Sequence, residues 1–211
     1  DLNAPAPVAL SYSVTRSAPG QPARAAGSAA LRWTISGTLY QLQMDGVAGT
    51  LQSEGGFSDA GIAPASARAT LPDGASVLAD FGAQLGRVTF SDSARSYRAD
   101  MGSQDRAAVL LQMAGMGRAD PDQMQGVLAF FVAGQSQAGV VRFEVIGEEE
   151  LATPLGTLHT LRLVQLAPAG QPTLEVWLAP ARDWLPVQLR LTGPDGTVSN
   201  QLVDAIGTPP P

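Results

Sequence analysis

One histidine and no cysteine leave this 211-residue chain few ways to do chemistry. A general base needs a positioned partner as well as a suitable pKa. His159 lies in a strand-like run, Gly156 to Leu166, and shares its parity with Leu161 and Leu163, which reads as a core or edge histidine. Gly134-Gln-Ser136-Gln-Ala138 has the outline of a nucleophile elbow. That motif requires a strand-to-helix turn, and here it joins two strand-like runs, so a hairpin loop is the reading. Without thiolates a metal would have to be held by oxygens. Asp120 and Asp122 flank a proline, and no calcium-loop spacing follows them. Glu148, Glu149 and Glu150 are consecutive, so in a strand they alternate between faces as solvated charges. Gly115-Met-Gly117 lacks the third glycine and the preceding strand of a dinucleotide loop. The pattern names no catalytic or metal residue, implies no cofactor, and does not read as an enzyme.

What remains is apolar surface. Trp33, Trp177, Trp184, Phe81, Phe90, Phe130, Phe131 and Phe143 would each serve as ordinary core. Two features lean further. Val127 to Ala133 is apolar on both strand faces, as Trp177 opposite Leu178 is, and the one helical segment carries methionines, which adapt to irregular apolar partners. A curved sheet with that helix laid across its hollow accounts for both, and such a hollow either packs shut or holds an apolar ligand. Its expected lining is Trp33, Tyr40, Phe90, Leu110, Met113, Phe130 and Trp177.

The elements that would position these residues are mostly strands. Val8, Leu10, Tyr12 and Val14 alternate with small polar residues, as do Leu174, Val176 and Leu178, and Leu185, Val187, Leu189 and Leu191. Asp45-Gly46, Pro72-Asp-Gly74 and Gly193-Pro-Asp-Gly196 are turn signals. Gly55 to Gly61 reads as a loop ending at Pro64. The exception is Gln104 to Gly117, where Val109, Leu110, Met113 and Met116 fall on one side at helical spacing. Ser103 reads as its N-cap, and Asp105 lies in the first turn, where the helix dipole favours a carboxylate. Strands are expected to number about ten, each near the usual length, in a mainly β fold with antiparallel connections. Residues 1–7 read as a linker, 8–206 as a single β-rich domain, and 207–211 as a Pro-rich tail.

Composition sets the outer limits. The net charge of −6 and the absence of any basic cluster argue against nucleic acid. All 13 basic residues are arginine. The longest apolar run, Val127 to Ala133, falls far short of the roughly 20 residues a membrane span needs.

The succession of Gly61-Ile-Ala-Pro64, Gln104-Asp105 opening a Leu-rich helix, Trp177-Leu-Ala-Pro180, Leu185-Pro-Val-Gln-Leu-Arg190 and Asp195-Gly196 resembles the bacterial DUF3108 family, from about Val8 to Ile206. Members look like exported proteins of the Gram-negative envelope, and their fold is similar to the open half-barrel of the LolA and LolB lipoprotein carriers. The resemblance implies a periplasmic location, a half-barrel with the helix on its concave side, and no catalytic residues. Two functions follow as expectations. One is a non-catalytic periplasmic protein that holds a lipid or acyl chain between helix and sheet. The other is a structural or protein-interaction module of the envelope with no small ligand, using the Ser53 to Pro64 and Arg95 to Gln104 segments toward an envelope protein.

Overall fold

Period-two patterning sets most of the backbone. In β3 (Leu39–Asp45), Tyr40, Leu42 and Met44 are buried while the residues between them are exposed. In β1 (Val8–Ser17), Val8, Leu10 and Tyr12 face inward in the same way. The structure, a computed structural model, describes residues 2–211 apart from the side chain of Ala83. The first half continues as β2 (Arg24–Ser36), β4 (Thr50–Ser58), β5 (Gly61–Thr70), β6 (Ser76–Gln84), β7 (Arg87–Phe90) and β8 (Ser93–Arg98). A two-residue strand, β9 (Gln104–Asp105), precedes the single α-helix among the described residues, α1 (Ala108–Ala119). The second half is β10 (Val127–Ala133), β11 (Ala138–Thr153), β12 (Gly156–Gln165), β13 (Thr173–Ala179), β14 (Leu185–Thr192) and β15 (Val198–Gly207).

All these strands belong to one sheet, ordered β8-β7-β6-β5-β4-β3-β2-β1-β15-β14-β13-β12-β11-β10-β9. Each half of the chain is a meander, and the halves join where β1 pairs antiparallel with β15. The single parallel contact is β9 against β10, with Val132 opposite Gln104.

The expected open half-barrel of about ten strands is therefore corrected. The sheet has fifteen strands and does not close, since β8 and β9 stand at its two ends with no ladder between them. The expected hollow is packed: Trp33, Tyr40, Leu110, Met113 and Trp177 are buried in one core. Val88 and Phe90 of β7 pack in a second cluster with Phe131 and Ala133 of β10, while Leu128 and Val132 of β10 face the main core. The two end regions of the sheet thus pack on one another, which covers Phe131 and Ala133 on the second face of β10, while Val127 and Ala129 of that face are exposed. The Gly55 to Gly61 stretch, expected as a loop, instead extends β4 to Ser58 and starts β5 at Gly61. Gly55 sits at a register shift in the β4–β5 ladder, where an added Cβ would meet the Ala63 carbonyl at 2.2 Å. Only glycine fits so close a backbone approach.

The helix is corrected as well. It starts at Ala108, not Gln104, because the Asp105 carboxylate accepts from the Ala107 and Ala108 N–H groups at 2.9 and 2.8 Å and so ends the preceding strand. Ser103 does not cap it; its hydroxyl donates to the Asp100 carbonyl. Nine of the helix residues, including Val109, Leu110, Met113 and Gln112, are buried, so α1 is covered nearly all round, as an interior helix is. It packs against β5, β9 and β14. The chain start lies across it: the Asn3 N–H donates to the Gly115 carbonyl at 2.9 Å, and Arg118 donates to the Asn3 and Ala4 carbonyls. Trp184, in a left-handed conformation (φ 59°), lies on Gly117, where a Cβ would come 2.3 Å from its ring.

Candidate functional site at the start of helix α1

Asp105 and Arg106 are adjacent and face opposite environments. Asp105 is 2% exposed. Besides the two helix N–H groups, it accepts the Ser53 hydroxyl at 2.5 Å, and Ser53 Oγ lies 2.9 Å from the Tyr40 hydroxyl. Since the Ser53 proton points at the carboxylate, Tyr40 donates to Ser53. Burial pushes the Asp105 carboxyl above its usual range, against the pull of Ala108, Ser53 and Ala107. Tyr40 is pushed up mainly by burial and further by the Asp105 charge. Two glutamines extend the network. Gln104 Nε2 donates to the Ile62 carbonyl at 2.9 Å. The Gln112 amide accepts from the Ile62 N–H at 2.9 Å and donates to the Ala60 carbonyl at 3.0 Å. Together they tie the β4–β5 turn to the helix. This node is built to hold α1 in place.

Arg106 points the other way. It borders a groove of about 700 Å³ walled by Val47, Val109, Val140, Phe143, Leu174 and Leu191, with Gln137, Gln165 and Gln171 also on its lining. Its Nη2 donates to the Ala48 carbonyl at 2.5 Å. Part of the side chain is exposed, yet the walls desolvate the guanidinium and lower its pKa, with the Asp105 charge opposing. Arg106 forms no salt bridge among the described residues.

The seven residues expected to line a ligand hollow lie elsewhere. Trp33 and Tyr40 are stacked with centroids 5.0 Å apart, and the Trp33 indole donates to the Pro5 carbonyl at 2.9 Å. Leu110 and Met113 are fully buried in the same core. Phe130 packs at the edge of that core, 6.4 Å from Phe143. Trp177 is buried with the Arg162 and Arg190 guanidinium groups 5.4 and 5.0 Å from its ring. Phe90 belongs to the second cluster, against Tyr97. None of the seven lines the groove. Val109, Leu174 and Leu191 lie in periodic runs that read as core, and Val47, Gln137 and Gln171 sit on turns and loops where no periodicity marks them. The one readable signal was Arg106 itself, a cation beside a helix start, where the dipole favours an anion.

His159 is half-exposed on β12 rather than in the core, with Nδ1 2.8 Å from Glu150 and Nε2 3.5 Å from Glu148. The Gly134 to Gln137 segment is a hairpin loop, closed by Gly134 N–H donating to the Gln137 carbonyl. Among the described residues no group of three or more His, Asp or Glu side chains could hold a metal ion, and no helix is long and apolar enough to cross a membrane.

Fold and site define a β-rich protein of one continuous antiparallel sheet around a buried helix, with an open groove at the helix start. The family model described as a protein of unknown function, DUF3108, matches residues 11–203, and the chain belongs to that family. A crystal structure of a beta-barrel-like protein of domain of unknown function DUF1849 from Brucella abortus is similar over 100% of both chains, at a TM-score of 0.57 and 10% identity. That likeness is one of fold. The lipoprotein LppX of Mycobacterium tuberculosis aligns over 96% of this chain and 88% of its own, at 10% identity and a TM-score of 0.30. A LolA superfamily protein from Nitrosomonas europaea aligns over 98% and 87%, at 6% identity and a TM-score of 0.30. Scores that low do not place the chain with either. A search of curated proteins finds no match.

Proposed function

We propose that the protein is a structural or protein-interaction module of the bacterial cell envelope, without catalysis and without a small ligand in its interior. The observation that carries this reading is that the space expected as a ligand hollow is packed by its own side chains. Trp33, Tyr40, Leu110 and Met113 are each no more than 1% exposed and pack in one core. A lipid carrier would keep that space open, so the acyl-chain reading has less support. The periplasmic location rests on the family's resemblance to exported envelope proteins. Surface is available for partners: Leu39, Leu85 and Met101 are exposed, and β8 leaves one strand edge unpaired, an arrangement that accepts a partner's strand.

Met113→Asp tests the reading. In a closed core the carboxylate is buried without a partner, at a cost of several kcal/mol, and the variant should fail to fold by circular dichroism. Native mass spectrometry of the wild-type protein, purified from envelope fractions, should show the bare chain mass. A folded Met113→Asp protein, or a stoichiometric lipid on the wild type, would return the carrier reading to first place.

A further inference from the structure

We infer that the groove beside Arg106 is a docking site for an extended polypeptide segment that carries aliphatic side chains and an acidic one. The inference rests on the interaction reading above and names its site and the chemistry of the partner. The groove volume, about 700 Å³, lies within the roughly 300–1,000 Å³ of sites that hold small molecules or side-chain clusters. Its walls are aliphatic apart from Phe143, supplied by the β3–β4 turn, the first turn of α1 and strands β11, β13 and β14. Arg106 provides a cation that no carboxylate among the described residues neutralises in a salt bridge, in a protein of net charge −6. Arg106 is the one charged side chain on the groove's lining, so the complement the lining calls for is a carboxylate.

The glutamines decide between a peptide and an alkyl chain. Gln137, Gln165 and Gln171 line the groove with the aliphatic residues. A primary amide has donors and an acceptor, which match the carbonyls and N–H groups of a polypeptide backbone. An alkyl chain laid over the same amides would strip their water and return nothing, and unsatisfied polar groups are costly to bury. Gly134 and Gly139 leave two positions at the β10–β11 end of the groove without side chains. A Cβ added at Gly139 would touch nothing within 4 Å, so backbone can approach there.

The test uses the whole chain and two variants. Arg106→Gln removes the charge, and Gly139→Trp fills the groove from a position with open space. Matched thermal unfolding of both with wild type establishes that they fold. The probe is a phage library of short random peptides displayed as amino-terminal fusions, so that any carboxylate presented is a side chain. Selection should enrich aliphatic sequences containing Asp or Glu. A synthetic copy, followed by fluorescence anisotropy, should bind more weakly as salt is raised. It should lose about tenfold in affinity with Arg106→Gln, the scale of one charge-assisted hydrogen bond, and all binding with Gly139→Trp. No enrichment above a blank surface overturns the inference, as does enrichment of peptides without acidic residues. Peptide binding untouched by both variants also overturns it, while leaving the interaction reading in place at another surface. Oleate that binds the wild type, displaces the peptide and is blocked by Gly139→Trp makes the occupant an amphiphile and overturns the polypeptide assignment. A lipid found inside the wild-type core is a different result, and it removes the interaction reading itself.

Discussion

Replacing Asp105 separates its work as an acceptor from the cost of its charge. In Asp105→Ala, the Ala107 and Ala108 N–H groups lose their only side-chain acceptor in a site that is 2% exposed. Each buried donor left unpaired costs about 1–3 kcal/mol, and removing an N-terminal cap costs about 1. These overlap, and the lost desolvation of the carboxyl offsets part of them, so the net loss should be about 3 kcal/mol. For a chain of this size that lowers the Tm by about 6–12 °C. In Asp105→Asn one oxygen still accepts from both N–H groups. The amide then donates to Ser53, whose own proton turns toward Tyr40, and the loss should be below about 1 kcal/mol.

The pH dependence gives the second arm. Burial raises the Asp105 carboxyl above its usual 3.8 in the folded protein, so between that value and the folded one the native state binds more protons than the unfolded state. Stability from this group is complete below about pH 4 and is lost as pH rises through the folded pKa. Urea unfolding followed by tryptophan fluorescence across that range should show wild type losing stability relative to Asp105→Asn as pH rises. Two parallel curves would refute the reasoning, and so would an asparagine variant as unstable as the alanine one.

Two further outcomes follow from the same geometry. Gly61 has φ +112°, and an added Cβ would stand 2.5 Å from Gln112 Oε1; Gly61→Ala should cost about 2 kcal/mol through backbone strain and the displaced amide, measured by chemical unfolding. His159 is raised above 6.5 mainly by its hydrogen bond to Glu150, with Glu148 adding. Its ion pairing should be complete below the usual histidine pKa and be lost as pH rises through the folded one, and an NMR titration should find its midpoint above 6.5 in wild type and lower in Glu150→Gln.

Patterning carried the strands wherever one face meets water. β1 and β3 follow their alternation, whereas β13 and β14, which share the same sequence alternation, are buried on both faces over Glu175–Ala179 and Leu185–Leu189; the helix exists where its apolar spacing placed it. Patterning failed where a backbone contact decides. The Gly55 to Gly61 stretch carries a loop's composition, but its glycines serve a bulge and a tight turn within a hairpin. Gln104-Asp105 has helical surroundings, yet the Asp105 side chain takes the acceptor position that starts α1 at Ala108. Val127 to Ala133 is covered on both faces only at its Phe131–Ala133 end, Val127 and Ala129 being exposed, and the second cover there, Val88 and Phe90, lies too far along the chain for any local pattern to reveal.

The residues that carry the family resemblance turn out to fix the helix. Gly61 and Ile62 hold the Gln112 amide, Gln104 holds Ile62, and Asp105 starts α1. At the far end, the turn that follows Trp177-Leu-Ala-Pro180 sets Trp184 on Gly117 and Asp183 3.4 Å from Arg118. Each of these positions admits few side chains, because a Cβ, a donor or a left-handed φ is specified there to within a few tenths of an ångström. The groove makes no such demand. Val47, Val140 and Leu191 need only be aliphatic, and hydrophobic swaps of similar volume are tolerated. A motif therefore forms where the helix is clamped, and the proposed docking groove leaves little trace in the sequence beyond an arginine beside the helix start.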